Sequence, residues 1–206
     1  MRAITATPHW NRRRGYTENT ASILRSLKTA RDLAREINPW FQIYLGREVA
    51  WEESLPEILP QHPEWTMGNS NYLMVEFEPE DSCERIEQGL LKVSMMGFRP
   101  ILAHIDRYPA FYKNIEYTRK LKDMGIVIQM NSGAVTSAGS KTLQRFVAHA
   151  LDECLVDLMS SDTHGINHRR PQLKAGADYI EKKYSRTYAD KLYRLTAVRI
   201  LKNKTI

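Results

Sequence analysis

The sequence has little cysteine and no long apolar run. Its 206 residues include two cysteines, Cys83 and Cys154, and neither has a second cysteine nearby. This excludes a disulfide framework and a cysteine-rich zinc site. No stretch approaches the roughly 18 consecutive apolar residues of a membrane span, and no charged segment followed by an apolar leader opens the chain. We therefore expect a cytoplasmic protein with reduced cysteines and no membrane insertion.

The charge balance is mildly basic. The formal net charge is +6 at pH 7, and the isoelectric point is near 9.3. Most basic residues are scattered along predicted helix faces without an aromatic platform or a recognition motif, so no nucleic-acid binding is expected. Arg12, Arg13 and Arg14 differ, because they follow closely after His9 and should lie at the rim of any site that His9 helps to form. The length suits one domain, spanning 1–206.

Strand-like and helix-like segments alternate along the chain. Apolar runs predict six strands, at 2–6, 41–49, 71–77, 99–104, 126–131 and 156–162. Amphipathic segments predict helices at 17–37 with Thr17 as the cap, at 81–97 and 108–124 ended by glycine, at 141–153, and in two or three pieces from Pro171, placed in a first helical turn. The proline-rich segment after Glu53 predicts at most a short helix.

This alternation is typical of a parallel sheet with right-handed crossovers. Six strands are too few for a closed barrel of about seven or eight, which leaves an open six-stranded sheet as the plain alternative. The chain also opens almost inside a strand. We therefore expect that an initial strand is absent from this sequence.

Side chains of the metal-ligand type come at the ends of five apolar runs. In barrels of alternating strands and helices the chemistry collects where the carboxyl ends of the strands converge. Imidazole and carboxylate groups there can hold divalent cations that activate water and bind a phosphoryl group. Each residue alone is more typical of an ordinary rim position, but their coincidence indicates a metal-dependent hydrolase. The candidate ligands are His9, Glu48, Glu76, His104, Asp162 and His164.

Two arginines lie shortly after these candidate ligands. Arg107 is three residues beyond His104, and Arg170 is six residues beyond His164. The planar guanidinium group binds phosphate through paired hydrogen bonds, so both are candidate phosphate-binding residues; the alternative for each is an ordinary surface salt bridge. His168, which precedes Arg169 and Arg170, is a weaker candidate for substrate contact. The remaining histidines are expected to pack or to face solvent.

The segments TPHW, GREVAW, YLMVEF, PILAHIDRYPA and MSSDTHGINHRRP resemble, in order and spacing, the polymerase-and-histidinol-phosphatase (PHP) superfamily. The likeness is strongest to its manganese-dependent protein-tyrosine phosphatases of capsule and exopolysaccharide loci in Gram-positive bacteria. It implies a distorted α/β barrel of the TIM-like type, a trinuclear metal centre, and a tyrosine kinase of polysaccharide export as the partner. By position, the six candidate ligands match metal ligands of this branch, and Arg107 and Arg170 match its phosphate-contacting arginines.

The sequence departs from that branch at its beginning. Members start with a His-x-His pair on the first strand and a nearby Asp-Asp-Gly segment, and neither occurs here. The expected domain is therefore PHP-like but incomplete at the N-terminus, with three ligands missing. The subsite of Glu48, Glu76 and His104 should be the most complete.

The leading hypothesis is a metal-dependent phosphatase that acts on phosphotyrosine in a protein, with manganese as the expected metal and iron or zinc as alternatives. One alternative function is a small-molecule phosphatase of the histidinol-phosphate type. Another is a truncated, catalytically weak protein with a binding or regulatory role. Cysteine-based phosphatase chemistry is excluded, because it needs an arginine six residues after the cysteine, where Cys83 and Cys154 are followed by Gly89 and Ser160.

Overall fold

A computed structural model describes residues 2–137, 139–167 and 169–206. The strands are β1 (Ala3–Ala6), β2 (His9–Trp10), β3 (Gln42–Leu45), β4 (Glu48–Ala50), β5 (Tyr72–Glu76), β6 (Arg99–Leu102), β7 (Val127–Asn131) and β8 (Leu158–Ser160). The α-helices are α1 (Thr20–Ile37), α2 (Leu55–Ile58), α3 (Cys83–Met95), α4 (Pro109–Tyr112), α5 (Ile115–Asp123), α6 (Lys141–Asp152), α7 (Leu173–Lys183), α8 (Arg186–Asp190) and α9 (Thr196–Leu201). Short 3₁₀-helices include Arg12–Arg14 and Ile105–Arg107, and Lys191–Leu195 is π-helical.

The strands form one large sheet and one small pair, both parallel. The large sheet has six strands in the order β2-β4-β5-β6-β7-β8, and β1 pairs with β3 outside it. Helices connect successive parallel strands, as right-handed crossover units require. The α/β prediction is confirmed. The order also places the carboxyl ends of six neighbouring strands along one edge of the sheet.

Two predicted strands are interrupted. The prediction of a single strand over 41–49 is wrong, because the chain leaves β3 at Gly46 and enters the large sheet as β4 at Glu48. Gly46 passes so close to Met67 that a Cβ atom there would lie 2.5 Å from the Met67 sulfur. The predicted strand at 2–6 likewise continues as β2 after Pro8, which has no N–H to donate. Glu48 therefore begins a strand rather than following one.

Helix boundaries also differ in detail from the prediction. The side chain of Asn19, not Thr17, caps α1 by accepting a hydrogen bond from the Ser22 N–H. The helix predicted over 108–124 is broken into α4 and α5, and α7 begins at Leu173, so that Pro171 precedes the helix. Gly97 ends α3 with φ +88°, in the left-handed position that glycine occupies without strain.

The main core lies between the large sheet and the helices that cover it. Its fully buried members come from strands and helices alike, including Val75, Leu90, Leu102, Ile128 and Phe111. This packing makes the strand ends a rigid platform for the side chains that follow them. Cys83 is buried, Cys154 is exposed, and both are free thiols. Within the described ranges, no helix combines the length and apolar character needed to cross a membrane.

Candidate metal centre

Four of the predicted ligands form a tight group at one edge of the large sheet, where β2 and β4 begin and β5 and β6 end. His104 Nε2 lies 2.7 Å from Glu48 Oε1 and 3.6 Å from Glu76 Oε2. His9 Nδ1 lies 3.2 Å from Glu76 Oε1 and 4.0 Å from Glu48 Oε2. Glu48 pairs in register with His9 on one side and stands next to β5 on the other. Neighbouring parallel strands thus bring two carboxylates and two imidazoles together.

The group is buried, and the pKa values of Glu76 and His104 are strongly shifted. Only 6% of Glu48, 8% of Glu76 and 4% of His104 is exposed. Burial acts to raise the pKa of Glu76, but hydrogen bonds with His104 and His9 hold that pKa far below its usual range. Burial acts to lower the pKa of His104, yet its hydrogen bonds with Glu48 and Glu76 raise it to about 9. Two adjacent buried carboxylates therefore require positive charge, from protons or from a cation.

The donor set fits a divalent cation. One ligand atom each from His9, Glu48 and Glu76 lies within 4.8 Å of the others. His104 Nδ1 is buried and has no hydrogen-bond partner among the described residues, so the ring directs its polar contacts through Nε2 toward the carboxylates. Mixed imidazole and carboxylate sites accept manganese, iron or zinc. The structure thus provides a site for a divalent metal ion.

Asp162 and His164 complete the bowl from the opposite edge of the sheet. They follow β8, whereas His9 begins β2, yet His164 Nε2 lies 3.3 Å from His9 Nε2. The sheet must therefore curl until the ends of its two edge strands approach each other. The backbone of Asp162 is left-handed, with φ +47°, a conformation that non-glycine residues adopt mainly where the surroundings enforce it. The structure brings all six predicted ligands together.

The arginines are arranged differently from the prediction. Arg107 donates to the Asp162 carboxylate, so its guanidinium group lies beside the candidate ligands. Arg169 also donates to Asp162 and lies 3.1 Å from His164 Nε2. Arg170 is exposed and, within the described part of the chain, makes no hydrogen bond with the cluster. Spacing alone cannot separate two adjacent arginines after a loop; the left-handed backbone of Arg169, with φ +50°, turns its side chain inward.

A polar network beneath the cluster has no clear signal in the sequence. The His104 backbone is left-handed, with φ +35°, and its N–H donates to Gln129 Oε1 at 2.5 Å. Gln129 Nε2 donates in turn to Ser160 Oγ at 2.8 Å. Gln129 therefore links the ends of β6, β7 and β8 and fixes the backbone of His104. In the sequence, only the position of Gln129 within the apolar run IVIQMN points to this network.

The remaining histidines lie outside this cluster. His62 stacks on Trp65 with ring centroids 4.3 Å apart, and His149 pairs with Glu153 one turn further along α6. Both match the expectation of packing or surface roles. His168, the weaker candidate for substrate contact, lies outside the described residues.

Comparison with known proteins places this geometry in a family. The chain matches CpsB/CapC, described as capsular polysaccharide synthesis, over residues 1–202. It is 31% identical to the tyrosine-protein phosphatase CpsB of Streptococcus pneumoniae, covering 94% of this chain and 81% of that protein. It is 24% identical to the tyrosine-protein phosphatase YwqE of Bacillus subtilis strain 168, covering 100% of this chain and 80% of that protein.

The fold is shared with a solved structure. A crystal structure from work on YwqE of Bacillus subtilis and CpsB of Streptococcus pneumoniae, described as unique metal-dependent tyrosine phosphatases, superposes with a TM-score of 0.87 at 22% identity. The match covers 100% of this chain and 83% of that one. The predicted PHP-type fold and the resemblance to this branch are confirmed. The chain therefore belongs to the CpsB/CapC family of capsular polysaccharide synthesis.

Proposed function

We propose that this protein is a metal-dependent tyrosine-protein phosphatase that removes phosphate from phosphotyrosine in a protein of capsule or exopolysaccharide synthesis. The observation that carries the proposal is the buried group of Glu48, Glu76, His104 and His9, which His164 joins from across the bowl. Relatives named tyrosine-protein phosphatases support the substrate class.

Each part of the bowl has a separate role. On one side of the bowl, the cation would be bound by Glu48, Glu76, His104 and His9. On the other side, Asp162 and His164 add further ligand atoms. A divalent cation bound there supplies Lewis-acid stabilisation of charge on the phosphoryl oxygens and of the attacking water. We propose manganese as that cation, with iron or zinc as alternatives.

The phosphate group itself is bound by guanidinium groups. Arg107 and Arg169 both donate to Asp162, so one carboxylate neutralises only one of their two positive charges before substrate enters. A phosphate dianion offers more acceptors than one carboxylate, so both groups can hold it in charge-assisted hydrogen bonds while they remain near Asp162. We assign this role to Arg107 and Arg169; Arg170, the residue expected from the sequence, is exposed.

The substrate protein is the next element of the proposal. A phosphotyrosine must be presented on an accessible chain segment, because Glu48, Glu76 and His104 are buried rather than on a protruding surface. We propose a tyrosine kinase of polysaccharide export as that substrate.

The test compares phosphate release from a phosphotyrosyl peptide with release from histidinol phosphate. Each substrate is assayed once with manganese and once with a chelator. The expected result is manganese-dependent release from the peptide. Glu76→Gln should lower kcat/KM by more than about 100-fold, beyond the 10–100-fold typical of residues that only orient ligands. Glu116→Gln, an exposed carboxylate on α5, is the matched control and should have no effect. A preference for histidinol phosphate, or release that survives the chelator, would contradict the proposal.

A further inference from the structure

A short, rigid turn stands beside the metal centre. The backbones of Asn11 and Tyr16 exchange two hydrogen bonds, each 2.9 Å long. The buried Asn11 side chain accepts a hydrogen bond from the Arg14 N–H at 3.2 Å, and Gly15 closes the turn with φ +75°. Arg12, Arg13 and Arg14 form the intervening 3₁₀-helix. The backbone that carries the three arginines is therefore fixed, and little backbone entropy is lost when one of their side chains contacts a ligand.

Contacts with neighbouring loops place this turn at the mouth of the bowl. The Tyr16 ring stacks on His9, with centroids 5.5 Å apart and planes inclined by 23°. Arg12 pairs with Glu52 and Arg14 with Glu78, both at 2.7 Å. Glu52 and Glu78 come shortly after the ligands Glu48 and Glu76, at the same edge of the sheet. The predicted rim position of the arginines is thus confirmed.

Charge at the turn is unevenly compensated. Arg12 and Arg14 each have a carboxylate partner, and the pKa of Arg14 is raised by its hydrogen bond with Glu78. Arg13 is exposed, and within the described ranges it forms no ion pair. A positive side chain without a partner, carried on a fixed backbone beside a site proposed to bind phosphate, favours a ligand with further negative charge.

We propose that Arg13 binds a carboxylate in the polypeptide flanking the phosphotyrosine, so that the enzyme prefers substrates with acidic residues next to the target tyrosine. This inference rests on the proposed phosphatase function and names its substrate class more closely. An extended peptide advances about 3.3 Å per residue, so neighbours of a phosphotyrosine held in the bowl pass over its rim. The occupant of this surface is thus an acidic segment of the substrate chain.

The expected size of the preference for acidic peptides follows from the known strength of exposed ion pairs. Such pairs change equilibrium constants by about twofold to fivefold at low ionic strength. Because salt screens exposed charges, the preference should fade as ionic strength rises.

The experiment compares two phosphotyrosyl peptides that differ only in their flanks, one carrying Asp and Glu and the other Asn and Gln. With the manganese-loaded protein, kcat/KM should be about twofold to fivefold higher for the acidic peptide at low salt. Arg13→Gln should abolish the difference, and Arg13→Lys should retain most of it. The matched control is Arg186→Gln in α8. This helix lies at the opposite end of the strands, where Tyr188 contacts the Leu151 carbonyl at the end of α6, and the variant should keep the full preference.

Two results would overturn the inference. One is an acidic preference that Arg13→Gln leaves intact, and the other is equal turnover of both peptides by the unaltered protein. If neither peptide is hydrolysed, the proposed function fails instead. In that event fluorescence anisotropy with the same two peptides still decides the role of Arg13, since a charge contact strengthens binding of the acidic peptide in a way that Arg13→Gln removes.

Discussion

His104 largely determines the electrostatics of the site. It lies between two buried carboxylates, and in the metal-free protein its pKa is raised to about 9 from an ordinary value of 6.5. A proton on His104 then supplies the positive charge that Glu48 and Glu76 require. A divalent cation supplies the same charge without the proton, so metal and proton compete for one role.

This competition predicts how the metal-free protein responds to pH. Because the folded pKa of His104 exceeds its unfolded value, the stabilisation is complete below pH 6.5 and is lost as the pH rises through about 9. The loss amounts to about 3 kcal/mol in the free energy of unfolding. Denaturant titrations in chelator, from pH 6.5 to 9.5, measure it. Added manganese should cancel the decline, and a chelated protein whose stability stays flat across this range would refute the explanation.

Replacement of Gln129 tests how the backbone of His104 is held in place. In Gln129→Leu the His104 N–H and the Ser160 hydroxyl lose their partner, and nothing pins the left-handed backbone of His104. We expect manganese affinity to fall by about 10–100-fold, as for other residues that orient metal ligands. Calorimetric titration measures this. Thr118→Val is the control, because the Thr118 hydroxyl is buried without a partner in the described chain and its removal should leave affinity unchanged.

The residue types that the sequence could identify were those with a chemical signature. Imidazoles and carboxylates next to apolar runs identified the six candidate ligands that the structure brings together. Arg169 and Gln129 could not be identified, because their positions depend on loop conformation and on a network between strands. A left-handed backbone at His104, Asp162 and Arg169 decides where these side chains point, and no spacing rule predicts it.

Among the elements, α3 packs closely against residues that follow the strands β4 and β5. Gly89 in α3 faces the rings of Phe77 and Trp51, and a Cβ atom would lie 2.8 and 2.9 Å from them. Phe77 directly follows Glu76, and Trp51 is three residues after Glu48. The helix therefore supports the chain segments that carry both carboxylates.

Gly89→Ala should destabilise the protein even though alanine favours helices. Overpacking costs about 1–3 kcal/mol, and helix propensity offsets about 1 kcal/mol of it. We expect a net loss of about 1 kcal/mol in the free energy of unfolding, measured by urea titration. Gln88→Ala, on the exposed side of the same helix, should gain a few tenths of a kcal/mol. Equal stability of the two variants would show that α3 can shift without cost.

The pattern of elements was largely predictable, and their interruptions were not. Periodicity identified the strands and most helices because burial of one face imposes it. The break at Gly46 arises from a close approach to Met67, and the break between α4 and α5 lies at Lys113 and Asn114, within a continuous helical pattern. The first of these breaks depends on a packing partner that is distant in the sequence. The cap at Asn19 rather than Thr17 shows the usual uncertainty of a few residues at a helix start.

At the scale of the molecule, we propose that residues 1–206 form one domain. The larger of two clusters of buried side chains includes residues from Trp10 to Leu192, and the smaller one uses residues of the same strands, such as Met74 and Ile101. We therefore expect one cooperative unfolding transition. The buried tryptophans, Trp10, Trp51 and Trp65, report on the first third of the chain by fluorescence, and circular dichroism reports on the later helices. The two curves should coincide, and separate midpoints would indicate two units.

The proposed metal centre depends on six dispersed side chains that meet because the sheet curls. The most direct measurement is anomalous X-ray scattering from crystals grown with manganese. The predicted result is a manganese peak among the side-chain oxygens of Glu48 and Glu76 and the Nε2 atom of His104. A map without a peak there, or with manganese bound only elsewhere on the molecule, would contradict the account.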